Sequence, residues 1–213
     1  MIIKFNQVDR QPNPIFNVMV KEKIIANGIG ATQSNSAKIT IQENIYEISD
    51  NIHRDKDKNG KTITQVKDII KDGKIIGRIY PDIVPQKKIL FISIGYDYFV
   101  IDLYDKQYFA YEVGLGENQH YVCIYDKEEL VAIIHKDDKV INFKDTYTIY
   151  FQDEKLLTML CIFNLYFDCI NYPNHGEIMG DHVEDGGFIT MNKELNSKYD
   201  PTFIKKIIDL ENH

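Results

Sequence analysis

Residues 154–172 form a segment that is apolar around almost its whole circumference when it is drawn as a helix. At about 100° per residue, Cys161, Asn164, Asp168 and Asn171 fall within an arc of about 80°, and nearly every other position is apolar or aromatic. A surface helix carries an apolar stripe of roughly 100°, whereas a helix that is apolar over most of its circumference is buried. The segment therefore predicts a buried helix about 28 Å long, at about 1.5 Å per residue.

Such a helix needs surroundings that cover all of its sides. Asp153 is suited to cap its amino end, and Pro173 is suited to stop it. A bilayer is disfavoured by Lys155 and Asp168, because charged groups are expensive inside a membrane. Packing on one face of a sheet would leave much apolar surface in water. The sequence therefore favours a helix enclosed by a closed sheet.

The chain before this helix alternates with a period of two residues, which is the period of β-strands. Asn59-Gly60 and Asp72-Gly73 supply hairpin turns between neighbouring strands. The predicted strands lie within residues 16–151 and include 38–42, 45–48, 62–66, 74–80, 98–104, 108–113, 121–125, 130–134 and 147–151. Short strands separated by turns predict a mainly β, antiparallel sandwich or barrel in a single domain, residues 1–213.

After residue 173 the chain is predicted to form an irregular loop and then a short helix. Residues 174–192 are rich in glycine and acidic residues. Asp200 followed by Pro201 resembles a helix cap with proline at the first helical position. Apolar residues then follow at helical spacing, and we expect this terminal helix to dock by one face; they are Phe203, Ile204, Ile207 and Ile208.

Charge and cysteine content exclude several classes of function. Twenty-five basic against 32 acidic residues give a net charge of −7, which argues against binding nucleic acid. The amino end lacks the pattern of a secretory signal, and no segment has the roughly 18 apolar residues of a membrane helix. Cys123, Cys161 and Cys169 stand among apolar residues and form no CxxC pair, as expected for buried thiols. A cytoplasmic protein without a transmembrane segment is predicted.

A series of antiparallel strands closed by a hydrophobic helix resembles the tubby C-terminal-like superfamily, which includes LURP-one-related proteins and phospholipid scramblases. The nearest likeness is to uncharacterised bacterial members from low-GC Gram-positive organisms. The likeness lies in hydrophobic rhythm, in residues 98–102, 111–114, 121–125 and 147–150, and ends in the helix 156–172. The resemblance implies a barrel of about twelve strands threaded by that helix. No basic phosphoinositide motif of tubby, and neither the cysteine-rich segment nor the anchor of scramblases, can be matched here.

The densest set of potential metal ligands lies in residues 174–185. It comprises His175, Glu177, Asp181, His182, Glu184 and Asp185. Imidazoles and carboxylates of this kind bind zinc or iron when a loop brings them together. Their spacing matches no helical HxxxH pattern, and four glycines accompany them, so a solvated acidic loop is favoured over a metal site.

Two glycine-containing segments and one serine are weak candidates for a site. Residues 27–32 lack the full pattern of a phosphate-binding loop and are interpreted as a turn between strands. Residues 114–116 are interpreted as a strand break. Ser93 lacks the glycine two positions before it that a hydrolase nucleophile requires. The lysine pairs 21/23, 87/88 and 205/206 are predicted to serve solubility, because arginine, the better phosphate ligand, is scarce.

Among the acidic residues, Asp168 stands apart because it lies in the predicted buried helix. A carboxyl group at such a position must be paired or protonated, and a strongly shifted pKa there would suggest a functional role. Asp102 and Asp126 are expected at strand edges or at a mouth of the barrel.

The sequence therefore favours a non-catalytic barrel without catalytic, metal-binding or cofactor-binding residues. Its expected role is that of a binding or scaffold module for a lipid head group, such as a phosphoinositide, or for a protein partner. Because the helix fills the lumen, a ligand is expected at a mouth or on the outer wall. The alternatives are a metal-dependent enzyme that uses loop 174–185 and a structural or regulatory subunit.

Overall fold

Twelve antiparallel strands close into a barrel; the sequence predicts the closed sheet, and the resemblance implies the number of strands. The computed structural model describes residues 1–10, 13–30, 36–51, 55–56, 60, 62–89, 92–142, 144–172, 183–185 and 187–212. The strands are β1 (Ile2–Asp9), β2 (Ile15–Val20), β3 (Lys23–Ile29), β4 (Ala37–Ile41), β5 (Asn44–Asp50), β6 (Asp55–Lys56), β7 (Thr62–Ile63), β8 (Lys67–Lys71), β9 (Lys74–Ile89), β10 (Ile92–Leu103), β11 (Lys106–Glu117), β12 (His120–Asp126), β13 (Glu129–Lys136), β14 (Lys139–Ile141), β15 (Thr146–Phe151), β16 (Val183–Asp185) and β17 (Gly187–Ile189).

The barrel is closed by hydrogen bonds between β10 and β11. Its strand order is β10-β9-β8-β5-β4-β3-β2-β1-β15-β13-β12-β11, and the pairing of β10 with β11 completes the ring. β17 extends the sheet as a thirteenth strand on the end of β11, and the pairs β6–β7 and β14–β16 lie outside the ring. Asp72 and Gly73 join β8 to β9 with φ values of 51° and 71°, which is the geometry of the predicted hairpin turn.

The hydrophobic helix occupies the lumen of this barrel. A 3₁₀ turn at Glu154–Leu156 leads into helix α1 (Leu157–Asn171), and Oδ1 of Asp153 accepts a hydrogen bond from the Lys155 amide at 3.0 Å. Ten consecutive residues of α1, 159–168, are buried. The core that surrounds them receives buried side chains from every one of the twelve strands. Enclosure, the favoured prediction, is confirmed because no other arrangement would bring all strands onto one helix.

The barrel begins earlier in the chain than the predicted residue 16. Strand β1 pairs with β15 on one side and β2 on the other, so the ring would stay open without it. Ile3 and Phe5 point into the core, whereas the third inward residue of this strand is the polar Gln7. Strand β1 was not predicted because its alternation of apolar and polar residues is short and ends in a polar residue that points inward.

The interpretation of residues 114–116 as a strand break is wrong, and of the predicted turn 27–32 the first three residues belong to a strand, while residues 31 and 32 lie outside the described part of the chain. Gly28 belongs to β3, where an added Cβ would lie 3.4 Å from Leu165 of the helix, and at Gly30 it would lie 2.6 Å from Sγ of Cys169. Gly114 lies within the unbroken β11, and an added Cβ there would lie 2.4 Å from the Phe188 carbonyl oxygen. These glycines allow close approach of another element, which sequence alone does not distinguish from turn formation.

The carboxyl-terminal segment forms a second apolar core outside the barrel. Helices α2 (Lys193–Asn196) and α3 (Pro201–Glu211) follow β17, and Oδ1 of Asp200 accepts a hydrogen bond from the Thr202 amide at 2.8 Å. Phe203 and Ile207 are buried against the outer wall, as expected for a helix that docks by one face. In the part of the chain that the structure describes, no helix is long and apolar enough to cross a membrane.

Candidate functional site

Asp168 lies in the last turns of α1 and is 1% exposed. The Tyr147 hydroxyl donates a hydrogen bond of 2.7 Å to its Oδ1. Burial raises the pKa of Asp168 well above its ordinary value, and the nearby charge of Asp145 raises it further, while the Tyr147 hydrogen bond and the charge of Lys136 oppose these effects. The residue that the sequence singled out is therefore buried, paired and shifted toward its neutral form.

A buried ion pair lies beside this carboxyl group. Nζ of Lys136, which is 7% exposed, bonds to Oδ1 of Asp145, which is fully buried. The backbone amide of Asp145 donates to Oε1 of Gln7 at 3.1 Å, and the amide of Gln7 donates to the Asp145 carbonyl at 2.9 Å. These backbone bonds to β1 hold the carboxylate in place, so the lysine charge has a fixed partner.

A second pair of an imidazole and a carboxylate lies closer to solvent. Nε2 of His120 is 2.8 Å from Oε1 of Glu112, and the Tyr172 hydroxyl donates to the same oxygen at 3.0 Å. Burial, followed by the Glu112 charge, raises the pKa of Tyr172, which stays a hydrogen-bond donor. The His120 ring stacks on Phe188 of β17, with 4.6 Å between ring centroids.

Strand register brings these residues together. His120 pairs with Lys136, and Lys136 pairs with Tyr147, in a row across β12, β13 and β15. Residues directly opposite each other in antiparallel strands point to the same face of the sheet. The three side chains therefore point to the inner face of the barrel wall, where the carboxyl end of α1 delivers Asp168 and Tyr172.

Of these groups, His120, Lys136 and Tyr172 line a cavity of about 150 Å³ between β13, β17 and the end of α1. Asp138 lines it, is 6% exposed, and its Oδ2 has no hydrogen-bond partner in the described part of the chain. Burial raises the pKa of Asp138, although the positive charges of His120, His135 and Lys136 oppose that effect. The group, called the polar mouth below, comprises Glu112, His120, Lys136, Asp138, Asp145, Tyr147, Asp168 and Tyr172.

Another cavity, of about 540 Å³, lies at the other end of the barrel. Its charged side chains are of both signs, namely Lys56, Arg78, Lys106, Asp102 and Asp105. Asp102 lies near the end of β10, as expected, and accepts a hydrogen bond of 2.7 Å from Gln107. Because its basic and acidic groups are mixed and exposed to solvent, this cavity carries no strong preference for a charged ligand.

Most of the predicted metal-binding loop lies outside the described residues. His175, Glu177, Asp181 and His182 belong to that part, and only the backbone of Glu184 and Asp185 is described, in β16. Among the described residues, no group of three or more histidine, cysteine, aspartate or glutamate side chains could hold a metal ion. The metal-dependent enzyme therefore stays a prediction about residues 174–185.

The cysteines lie as the sequence predicts. Cys123 and Cys161 are buried and Cys169 is partly buried, and all three are free thiols. Burial raises the pKa of Cys161 to about 12 and raises that of Cys123 as well. A thiol that is not ionised at neutral pH is a poor nucleophile, so these two groups serve packing.

Sequence reasoning found Asp168 but missed the rest of the polar mouth. Lys136, Asp138 and Asp145 are charged residues in or beside a predicted strand end, where a solvent-exposed position is the usual expectation. Gln7 at an inward position of β1 is the same kind of exception. One signal in the sequence could have indicated these residues. In a strand whose alternate residues are apolar, a charged or amide side chain at one of the apolar positions points into the barrel.

The fold and the site define a class of protein, namely a closed antiparallel barrel with a lumenal helix and a charged, partly enclosed mouth. Comparison with protein-family models, with curated proteins and with solved structures finds no match to the chain.

Proposed function

We propose that this protein is a non-catalytic, cytoplasmic binding module of the tubby-like type that takes a lipid head group at the polar mouth. The observation that carries the proposal is the buried Asp138 side chain, which lines the cavity and whose Oδ2 has no hydrogen-bond partner in the described chain. Buried polar groups are normally satisfied, and exceptions call for a partner such as a ligand. The lumen cannot supply a binding cavity because α1 fills it.

The arrangement of acids and bases supports binding rather than catalysis. Lys136 is bonded to Asp145, and His120 to Glu112, so each base is already engaged by a carboxylate. The polar mouth, in its described residues, contains no serine, threonine or cysteine that such a base could activate as a nucleophile. The groups are positioned to hold a polar ligand.

Apolar side chains next to the cavity favour a lipid as the source of that ligand. Leu115 of β11 is the register partner of Ile189 in β17, and they are 36% and 68% exposed. Ile189 follows Phe188, which lines the cavity, and Ile141 in β14, next to the lining residue Val140, is 58% exposed. Exposed apolar residues beside a polar cavity suit the boundary between head groups and acyl chains.

Flotation with lipid vesicles tests this proposal. The protein is mixed at low salt with vesicles of phosphatidylcholine, of phosphatidylcholine with phosphatidylethanolamine, or of phosphatidylcholine with a phosphoinositide. We expect the protein to float with at least one composition, and we expect Asp138→Asn to reduce that fraction while the exposed Asp209→Asn does not. Absence of flotation with every composition overturns the lipid proposal and leaves a protein partner as the remaining class. Equal flotation of both variants places the lipid site elsewhere.

A further inference from the structure

We infer that the cavity of the polar mouth binds an alkylammonium group, with the Asp138 carboxylate as its counter-ion. The inference rests on the proposed binding site and names the chemistry of the group that enters it. It is argued from charge balance, from the aromatic side chains of the cavity and from its size.

Among the described charged side chains that line the cavity, Asp138 has a buried carboxylate oxygen, Oδ2, without a hydrogen-bond partner. Lys136 is paired with Asp145, and Nε2 of His120 lies within bonding distance of Glu112. Asp138, which is only 6% exposed, is an acidic residue outside these two pairs. Its neighbour Asp137 adds a second negative charge to the lining of the cavity. A buried carboxylate oxygen without a hydrogen-bond partner is unfavourable, and an ammonium group in the cavity can donate the missing bond. His135 and the acidic Glu117 also act electrostatically on Asp138.

The aromatic lining distinguishes an organic cation from a metal ion. Tyr172 and Phe188 both line the cavity. Ammonium groups bind over aromatic faces within about 6 Å of the ring centroid. The chain itself shows this preference, because Nζ of Lys136 lies 4.5 Å from the centroid of Tyr172. Hard metal ions take six or more oxygen ligands, and the described residues contain no cluster suited to a metal.

The size of the cavity limits the ligand to a small group. A volume of about 150 Å³ is well below the roughly 300–1,000 Å³ of pockets that enclose drug-sized molecules. A methylammonium, ethanolammonium or quaternary ammonium group fits this limit, either as a free amine or as the end of a lipid head group. The net charge of −7 also favours a positively charged group over an anionic one.

Titration with soluble ammonium ions tests the inference without any membrane. Methylammonium, choline and tetramethylammonium chlorides are added at constant ionic strength, with sodium chloride as the matched salt, and binding is followed by chemical-shift changes in two-dimensional NMR. We expect saturable shifts at the backbone amides of residues 136–140 and 187–189. Asp138→Asn is expected to weaken binding at least tenfold, and Asp209→Asn to leave it unchanged.

A second variant keeps the test valid if Asp138→Asn does not fold. Phe188→Leu keeps an apolar side chain but removes the aromatic face, so it should weaken tetramethylammonium binding several-fold and methylammonium binding less. Shifts that do not saturate, that also occur with sodium chloride, or that persist equally in both cavity variants overturn the inference.

Vesicles separate the two sources of the ammonium group. Flotation with phosphatidylcholine or phosphatidylethanolamine, but not with phosphatidylglycerol, together with ammonium binding, supports a lipid head group. Ammonium binding without flotation supports a free amine and overturns only the lipid proposal. Flotation that depends on Asp138, without any binding of soluble ammonium ions, overturns this inference and leaves the proposed function standing.

Discussion

The Tyr147 hydroxyl donates a hydrogen bond of 2.7 Å to Oδ1 of Asp168, and this bond joins the barrel wall to the helix inside it. Both side chains are almost fully buried, at 0% and 1% exposure. The bond therefore links the lumenal helix, which is the element that the sequence predicts most clearly, to the barrel wall. The charged residues of that wall are brought together only when the barrel closes.

Removing this hydroxyl is expected to destabilise the protein. Tyr147→Phe leaves the buried Asp168 carboxyl without its donor, and such losses amount to about 1–3 kcal/mol of unfolding free energy. Tyr150→Phe is the matched control, because Tyr150 lies on the same strand and is only partly buried. Chemical denaturation of the two variants measures the difference. Equal stability of both variants would show that the Asp168 contact contributes nothing.

The raised pKa of Asp168 predicts a pH dependence of stability. The folded state holds the Asp168 proton more tightly than the unfolded state does, because the ordinary pKa of 3.8 applies in the unfolded state. Above about pH 4 the folded state therefore binds more protons, so this group's contribution to stability falls as pH rises, by up to about 1.4 kcal/mol per pH unit.

Asp168→Asn should abolish that contribution. Its unfolding free energy relative to wild type is therefore expected to increase as pH rises from 4 toward neutrality. Denaturation curves at several pH values measure the trend, with Asp209→Asn on the exposed face of α3 as the control that should stay parallel to wild type. A difference between Asp168→Asn and wild type that is independent of pH contradicts the prediction.

Removing one partner of the buried pair of Lys136 and Asp145 is expected to lower the free energy of unfolding strongly. Replacing both partners by uncharged residues is expected to lower it less. Lys136→Met removes the lysine charge from the fully buried Asp145 carboxylate, and loss of one partner of a buried pair destabilises by roughly 3–5 kcal/mol. The double variant Lys136→Met/Asp145→Asn removes both charges and should recover part of that loss. A double-mutant cycle in chemical denaturation gives the coupling. Additive effects of the two substitutions would contradict the pairing.

Asn164 predicts a substitution that does not destabilise the barrel. It is fully buried in α1, and neither its Oδ1 nor its Nδ2 has a hydrogen-bond partner in the described part of the chain. Asn164→Leu replaces an unsatisfied amide by an apolar group of similar size, so stability should stay equal or rise by about 1 kcal/mol. Asn164→Ala is the control, since it removes the amide but leaves a cavity, and should destabilise. A loss of more than 2 kcal/mol in the leucine variant, roughly the cost of an unmade buried bond, contradicts the prediction.

The strands and helices could be recognised because their signals are local. Alternation in β4 and β15 and the all-round apolar character of α1 depend on residues within a few positions of each other. The cap at Asp200 and the turn at Asp72-Gly73 are likewise set by adjacent residues. Strand β1 was missed because Gln7 occupies an inward position, where it serves the distant Asp145.

The glycines and the polar mouth could not be recognised for a related reason. Positions 28 and 30 require glycine because Leu165 and Cys169, about 140 positions later in the chain, pass close to them. Lys136 is buried because Asp145 and the Tyr172 ring neutralise and cover it. In each case the residue type is determined by a contact with a residue that is distant in sequence and becomes a neighbour only in the folded chain.

By itself the sequence determined that this chain makes antiparallel strands and a long helix that must be covered on nearly all sides, because a helix that is apolar over most of its circumference is unstable in water. The tertiary structure decided which twelve strands close around that helix and in which register. It therefore also decided that His120, Lys136 and Tyr147 stand in one row opposite Asp168. Charges buried at such a row are stable only through partners contributed by other strands, and those partners are a property of the closed barrel.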